Sequence, residues 1–228
     1  MRVRSAQPAD RDAIRGLFRA TVAGGRPLAF RMPGFEGYEK LCLGWYLGPG
    51  LAAAAVAVEE DHRVVGYALV CADEPAYRRW VQPRALVWAG QAYVRMAWPA
   101  TSVPARRFLR LRLADGMAAW WASGAPPMPV HAHLNVSAGS RCGVASSLLV
   151  LHIDAVCARL GAAGWYGEIN ARQGRRVAAL ERLVGEVTHR APNRTLSWVT
   201  GHPVERLTIV RRRGGPPSSS ARAADHPP

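Results

Sequence analysis

The chain has 228 residues, of which 49% are apolar, and its four cysteines are not closely paired. This size and composition suit one full core, and the cysteine spacing argues against a zinc site and against a disulfide scaffold. The formal net charge is +14, but apart from Lys40 every basic residue is an arginine, and the arginines are spread over the whole length. That distribution argues against a nucleic-acid-binding module.

The amino terminus predicts a cytoplasmic protein. Residues 1–6 alternate like an edge strand and contain no apolar signal-peptide core. No apolar run in the chain has the length needed to span a membrane. Pro8 to Asp10 then begin an amphipathic helix that is expected to reach about Val22.

Two apolar strands are predicted next, at 54–58 and 64–70, with a polar turn between them. An arginine- and tryptophan-rich segment follows at 75–129, and its apolar and basic faces predict helices. Pro83, Pro99 and Pro104 are expected to separate its pieces. Three interpretations stay open, in this order: a helical layer packed on the sheet, a wall of a ligand pocket, and a membrane-surface anchor.

The stretch 130–170 reads as a strand, a turn of small residues, a long helix and a second strand. Small residues at such a turn let backbone N–H groups approach an anion, and the helix N-terminus adds partial positive charge. The turn therefore predicts a pyrophosphate site, and a purely structural tight turn is the alternative. The last strands are predicted at 186–190 and 204–211, joined by a long polar hairpin connection, and 214–228 is expected to be a disordered tail.

Gly143-Val144-Ala145 followed by Leu148-Leu149 resembles the acetyl-CoA-binding motif of the GNAT N-acetyltransferase superfamily, R/Q-x-x-G-x-G/A, with Ser140 in the place of the Arg or Gln. The order of predicted elements is similar as well. The resemblance implies a single α/β domain over 1–213, with a mixed, mostly antiparallel twisted sheet flanked by helices. The segment 75–129 becomes a helical insertion between strands three and four.

The same resemblance implies acetyl-CoA as co-substrate and the primary amine of a small molecule as acceptor. A catalytically weak acyl-CoA-binding or interaction protein is the alternative, and a homodimer is left open. The implied cofactor contacts are the main chain of the fourth strand, the turn, the start of the helix and one side chain of the fifth strand: Asn135, Val136, Arg141, Cys142, Gly143, Val144, Ala145, Ser146 and Asn170.

Acetyl transfer to an amine requires a base and benefits from a proton donor. Glu168 is the leading base candidate, because a carboxylate in an apolar strand is costly unless it is paired or borders a cleft; an arginine salt bridge is the alternative. His131 and His133 share one face of the fourth strand and are also base candidates, with His133 as the competing base; for either one, the alternative is a hydrogen-bonded residue of a half-polar sheet face. The family's usual tyrosine acid falls on Leu180, so Tyr166 is the candidate donor.

Overall fold

The computed structural model describes residues 1–121, 128–140, 143–172 and 174–213. Within them lies a seven-stranded sheet of order β1-β2-β3-β4-β5-β7-β6. Neighbouring strands are antiparallel except β4 and β5, which are parallel, so the predicted mixed, mostly antiparallel sheet is confirmed. The strands are β1 Arg2–Ser5, β2 Ala55–Val58, β3 Val64–Cys71, β4 His131–Val136, β5 Gly164–Arg172, β6 Glu186–Pro192 and β7 Val204–Arg212.

Helices cover both faces of this sheet. They are α1 Arg11–Thr21, α2 Phe35–Leu43, α3 Glu74–Ala97, α4 Val103–Trp121, α5 Val144–Arg159, α6 Arg175–Leu183 and α7 Arg194–Thr200. No helix in the described part of the chain is both long enough and apolar enough to cross a membrane. The predicted tail lies outside the described residues.

The alternation of each strand sends successive side chains to opposite faces. The back face carries Ala132 and packs against Leu149 and Ile153 of α5. The front face carries Tyr67 and Leu69 and packs against Ile14 of α1.

The predicted helical character of the insertion is confirmed, because α3 and α4 lie between β3 and β4. Pro83 was expected to separate two pieces, but it lies inside the continuous helix α3. It is exposed there, so water can satisfy the carbonyl that loses its intrahelical donor. Trp88 and Ala92 on the other side of α3 pack with Phe108 of α4 in a buried cluster.

The prediction of a plain hairpin connection at 191–203 was wrong, because α7 lies inside it. The Asn193 side chain accepts a hydrogen bond from the Leu196 N–H at 2.9 Å and caps the helix start. Gly201, with φ of 74°, ends it in the left-handed conformation. Capping residues thus turn a polar connection into a short helix.

Asp115 of α4 holds α7 in place. This buried carboxylate accepts hydrogen bonds from the N–H of Thr195 at 2.8 Å, from the Thr195 hydroxyl at 2.6 Å and from the N–H of Arg194 at 3.2 Å. The negative charge also faces the positive end of α7. A single side chain therefore ties the insertion to the connection between β6 and β7.

We expect Asp115→Asn to lower the free energy of unfolding by about 1–3 kcal/mol, the usual cost of weakening buried hydrogen bonds to a charged group. Urea denaturation measures the loss. Asp12→Asn is the matched control: its exposed carboxylate pairs with Arg15 at 3.2 Å, and we expect a loss of only a few tenths of a kcal/mol. Equal losses in the two variants would contradict the proposed tie.

Candidate active site

The parallel strands β4 and β5 pair over a very short length. Their register joins His131 to Tyr166 and Ala132 to Gly167, and the described residues show no further pair. A Cβ on Gly167 would lie 2.8 Å from the main-chain oxygen of Ala132, so only glycine permits this close approach. Beyond it the strands separate towards their carboxyl ends.

An apolar cavity lies at this separation, on the back face. Its lining residues come from β4, β5, β7 and the end of α6, and are Ala132, Leu134, Trp165, Gly167, Ile169, Val184 and Ile209. Leu180, at the family's usual tyrosine position, packs against the same apolar cluster. The usual acid is thus replaced by a residue of the back-face core.

The first turn of the helix that follows β4 has N–H groups without intrahelical acceptors. Gly143 has a φ of 84°, a conformation that side-chain-bearing residues rarely adopt. The first intrahelical bond of α5 runs from the Ser147 N–H to the Gly143 carbonyl at 2.9 Å. The N–H groups of Val144, Ala145 and Ser146 precede it, and N–H groups at this place in a helix can bind an anion.

The side chains next to these N–H groups differ in solvent exposure. Val144 is 52% exposed, whereas the Ala145 side chain is fully buried in the back-face core. Ser140 donates a hydrogen bond to Glu59 at 3.0 Å, which ties the turn to the β2–β3 hairpin. Arg141 and Cys142, predicted to contact the cofactor, lie outside the described residues.

Asn135 and Val136 of β4 point to opposite faces. Val136 is buried in the back-face cluster. Asn135 points to the front face, where its Nδ2 donates to the Thr21 hydroxyl at 2.6 Å and the Tyr67 hydroxyl at 3.2 Å. These bonds fix β4 to α1 and β3, next to the place where β4 leaves β5.

A buried polar cluster lies on the front face at the start of β4. His131 Nδ1 bonds to the Glu74 carboxylate, and its Nε2 lies 2.5 Å from the Tyr46 hydroxyl. Burial raises the pKa of Tyr46 well above 10, so this phenol is protonated and donates to Nε2, while Nδ1 donates to Glu74. Arg78 Nε also donates to Glu74, at 2.8 Å.

The charge of Glu74 is stabilised inside this cluster. Burial opposes ionisation, but the bonds from His131 and Arg78 outweigh it, and the pKa of Glu74 lies below its usual value. Cys71 Sγ, a Glu74 oxygen and a His131 nitrogen also lie within 4.8 Å of one another, a ligand set that zinc can use. Glu74 is also bonded to Arg78, and both ring nitrogens of His131 are bonded, so in this structure the three residues form part of a hydrogen-bonded polar cluster.

His133 is half-buried beside the cluster, with its ring 5.3 Å from that of Tyr46 and 5.8 Å from that of His131. Burial and the neighbouring His131 lower the pKa of His133 to about 3. Its imidazole is therefore neutral near pH 7 and is a weak base. It can still hydrogen-bond a ligand.

The front face of β5 carries Tyr166, Glu168 and Asn170, as the strand alternation predicts. Tyr166 is half-buried, and burial followed by the charge of Glu74 raises its pKa, which keeps the phenol protonated. Glu168 is 43% exposed and its Oε1 lies 3.6 Å from Arg206 Nε. The arginine pair expected as the alternative role of Glu168 is therefore present, but it is loose and accessible.

Asn170 and Trp198 make packing and hydrogen-bond contacts that involve the connection between β6 and β7. The Asn170 side chain accepts a hydrogen bond from the buried cap residue Asn193 at 2.7 Å. Trp198 packs against Phe30, with ring centroids 5.9 Å apart, and lies under the Arg107 guanidinium at 5.1 Å. These contacts close one end of the front face.

Sequence reasoning missed the centre of the front-face cluster. Glu74 was placed just before the insertion, and Tyr46 lies in a stretch that carries no motif. A carboxylate in the first turn of a helix directly after a strand was the available signal for Glu74. Its partner His131 follows 57 positions later, so only the packing of α3 on β4 brings them together.

Comparison with known proteins gives the fold class. No family model matches the chain, and no curated protein matches its sequence. Among solved structures, SsHAT shares 21% identity over 91% of this chain and 96% of its own, with a TM-score of 0.60. A GNAT superfamily phosphinothricin acetyltransferase from Sinorhizobium meliloti, in complex with acetyl-CoA, shares 18% over 96% and 93%, with a TM-score of 0.51.

A polyamine N-acetyltransferase from Drosophila melanogaster shares 12% identity over 92% of this chain and 98% of its own, with a TM-score of 0.53. These likenesses span nearly the whole chain. The fold is therefore that of the GNAT N-acetyltransferases, as the turn motif and the order of elements predicted.

We expect Glu74→Gln to lower the free energy of unfolding by about 1–3 kcal/mol at pH 7, because it weakens two hydrogen bonds to a charged group. The lowered pKa of Glu74 stabilises the fold above the unfolded carboxyl pKa of about 4.3, and this contribution is lost as the pH falls through the folded value. The difference from the wild type should therefore shrink below about pH 5.

Urea denaturation at several pH values tests this expectation. Glu60→Gln is the matched control, since Glu60 is exposed in the β2–β3 turn, and it should change stability little at every pH. A deficit of Glu74→Gln that stays constant from pH 7 to acid would show that the carboxylate charge is not what stabilises the cluster.

Proposed function

We propose that the protein is an acetyl-CoA-dependent N-acetyltransferase that acts on the primary amine of a small molecule in the cytoplasm. The observation behind it is the separation of β4 from β5 next to the start of α5, whose first N–H groups have no intrahelical acceptor. This arrangement offers an anion site beside a gap between two strands. The likeness to acetyltransferases, one of them in complex with acetyl-CoA, supports the proposal.

In this proposal the N–H groups of Val144, Ala145 and Ser146 bind the pyrophosphate of coenzyme A. The gap between the carboxyl ends of β4 and β5 takes the uncharged arm of the cofactor, and the main chain of Asn135 and Val136 lies along it. The apolar cavity behind this gap is about 10 Å³, which is too small for that arm. Acetyl-CoA supplies the activated acetyl group when it is bound. The donors at the start of α5 fit the charged part of such a ligand.

The front face would bind the amine. Glu168 is accessible and carries the negative charge that attracts an ammonium group. We assign Glu168 as the group that accepts the amine proton, because His133 is too weak a base and His131 is buried and bonded on both nitrogens. Tyr166, protonated and next to the strand separation, is the proposed donor to the departing thiolate.

Leu180 favours a second candidate, a catalytically weak acyl-CoA-binding protein with the same fold. Its side chain packs on the back face and has no proton to give. Binding without turnover over a broad set of amines, measured by thiol release, would identify this second function.

We expect Val144→Glu to weaken acetyl-CoA binding at least tenfold in calorimetry. The new carboxylate would lie at the first position of α5, where it repels phosphate but favours the helix. Loss of binding therefore could not come from loss of fold. Leu151→Glu, an exposed site further along the same helix, is the control and should bind normally. Unchanged affinity in Val144→Glu would refute the phosphate site.

We expect Glu168→Gln to keep acetyl-CoA affinity and to reduce kcat/KM by about a hundredfold or more, the usual contribution of a general base. Its stability should fall by less than about 1 kcal/mol, since the Glu168 carboxylate is exposed and lies 3.6 Å from Arg206 Nε. His133→Gln is the comparison variant and should reduce the rate much less. A normal rate in Glu168→Gln with a lost rate in His133→Gln would transfer the base role to β4.

A further inference from the structure

The outward side of α3 carries an apolar stripe that the domain itself does not use. Its large side chains are strongly exposed: Leu86 by 69%, Val87 by 61%, Tyr93 by 72%, Val94 by 63% and Trp98 by 63%. With the exposed Pro83, Gly90 and Ala97, the residues within the helix follow the spacing of one helix face, and Trp98 comes directly after its last residue. We call the set from Pro83 to Trp98 the α3 stripe, which is about 22 Å long.

The α3 stripe is not the surface that holds α3 to the protein. That surface lies on the other side of the helix, where Trp88 and Ala92 are buried and the Trp88 ring is 5.5 Å from that of Tyr38. A surface helix normally carries polar residues on its outward side. Contiguous exposed apolar patches of this kind mark interaction sites.

The exposed charges of the two insertion helices indicate the kind of partner. These helices expose Arg78, Arg79, Arg84, Arg106, Arg107 and Arg110. Their acids are Glu74, which pairs with Arg78, and the buried Asp115, which is bonded to α7. The other five arginines have no carboxylate on these helices to pair with, so the described surface of α3 and α4 is basic.

A second copy of this chain would bring the same basic surface to the contact and no exposed acid from these helices to pair with it. An anionic surface with an apolar interior satisfies both features. Tyr93 and Trp98 have the amphipathic rings that favour a membrane interface, and arginine side chains can bury their stems while the guanidinium groups reach phosphates.

We propose that α3 docks on membranes that contain anionic lipids, with the α3 stripe buried at the level of the headgroups and the arginines on lipid phosphates. The packed-layer and membrane-surface interpretations of the insertion then apply to opposite sides of the same helix. Docking does not depend on acetyl transfer and is testable without it.

The test is flotation of the full-length protein with two kinds of vesicle: phosphatidylcholine alone, and phosphatidylcholine with about one third phosphatidylglycerol. We expect binding to the anionic vesicles and at least tenfold weaker binding to the neutral ones. The double variant Leu86→Gln with Tyr93→Gln should lose at least tenfold of the anionic binding, although no charge has changed. Both sites are exposed, so the fold should persist, which circular dichroism checks.

Leu151→Gln with Leu160→Gln is the matched control, because it removes two exposed apolar side chains, one in α5 and one directly after it, and should bind as the wild type does. Equal flotation of the α3 variant and the wild type would overturn the proposal and assign binding to charge elsewhere in the chain. Absence of binding to anionic vesicles would also overturn it. A third result would overturn it: the wild type sediments as a dimer, the α3 variant sediments as a monomer, and neither binds vesicles.

Discussion

The short parallel contact between β4 and β5 is the constraint on which the rest of the structure depends. Parallel neighbours need a crossover, and α5 supplies it across the back face. Gly167 lets the strands touch at Ala132, and the strands then part. β4 still pairs with β3 as far as Val136 after it has parted from β5. The crossover helix begins beyond that point, which brings its first N–H groups beside the gap between β4 and β5. One local geometry provides both the cavity and the anion site.

On the front face, one carboxylate is buried among hydrogen-bond partners and another is exposed. Glu74, His131 and Tyr46 satisfy one another, so a charged group lies inside the protein at low cost. Glu168, on the next strand, is exposed and only loosely paired with Arg206. Both carboxylates lie at the front face but differ in role. Glu74 fixes the start of α3 against β4, and Glu168 is available to a ligand.

The insertion links the front-face polar cluster to the surface of the protein. Helix α3 begins at Glu74, packs through Trp88, and presents an apolar side to the surroundings. Helix α4 runs back and holds α7 through Asp115. Six exposed arginines lie on this pair of helices, and of these only Arg78 is paired with a carboxylate of the two helices.

The sequence by itself determined the strands, the crossover helix, the turn at Gly143 and the helical nature of the insertion, because these follow from alternation, helical spacing and glycine at a turn. It also placed Tyr166, Glu168 and Asn170 on one face. It did not determine α7, the continuity of α3 through Pro83, or the bond between Glu74 and His131. Those depend on contacts between residues distant in the chain, and the exposure of Glu168 and of the α3 stripe was decided by which sides the packed helices cover.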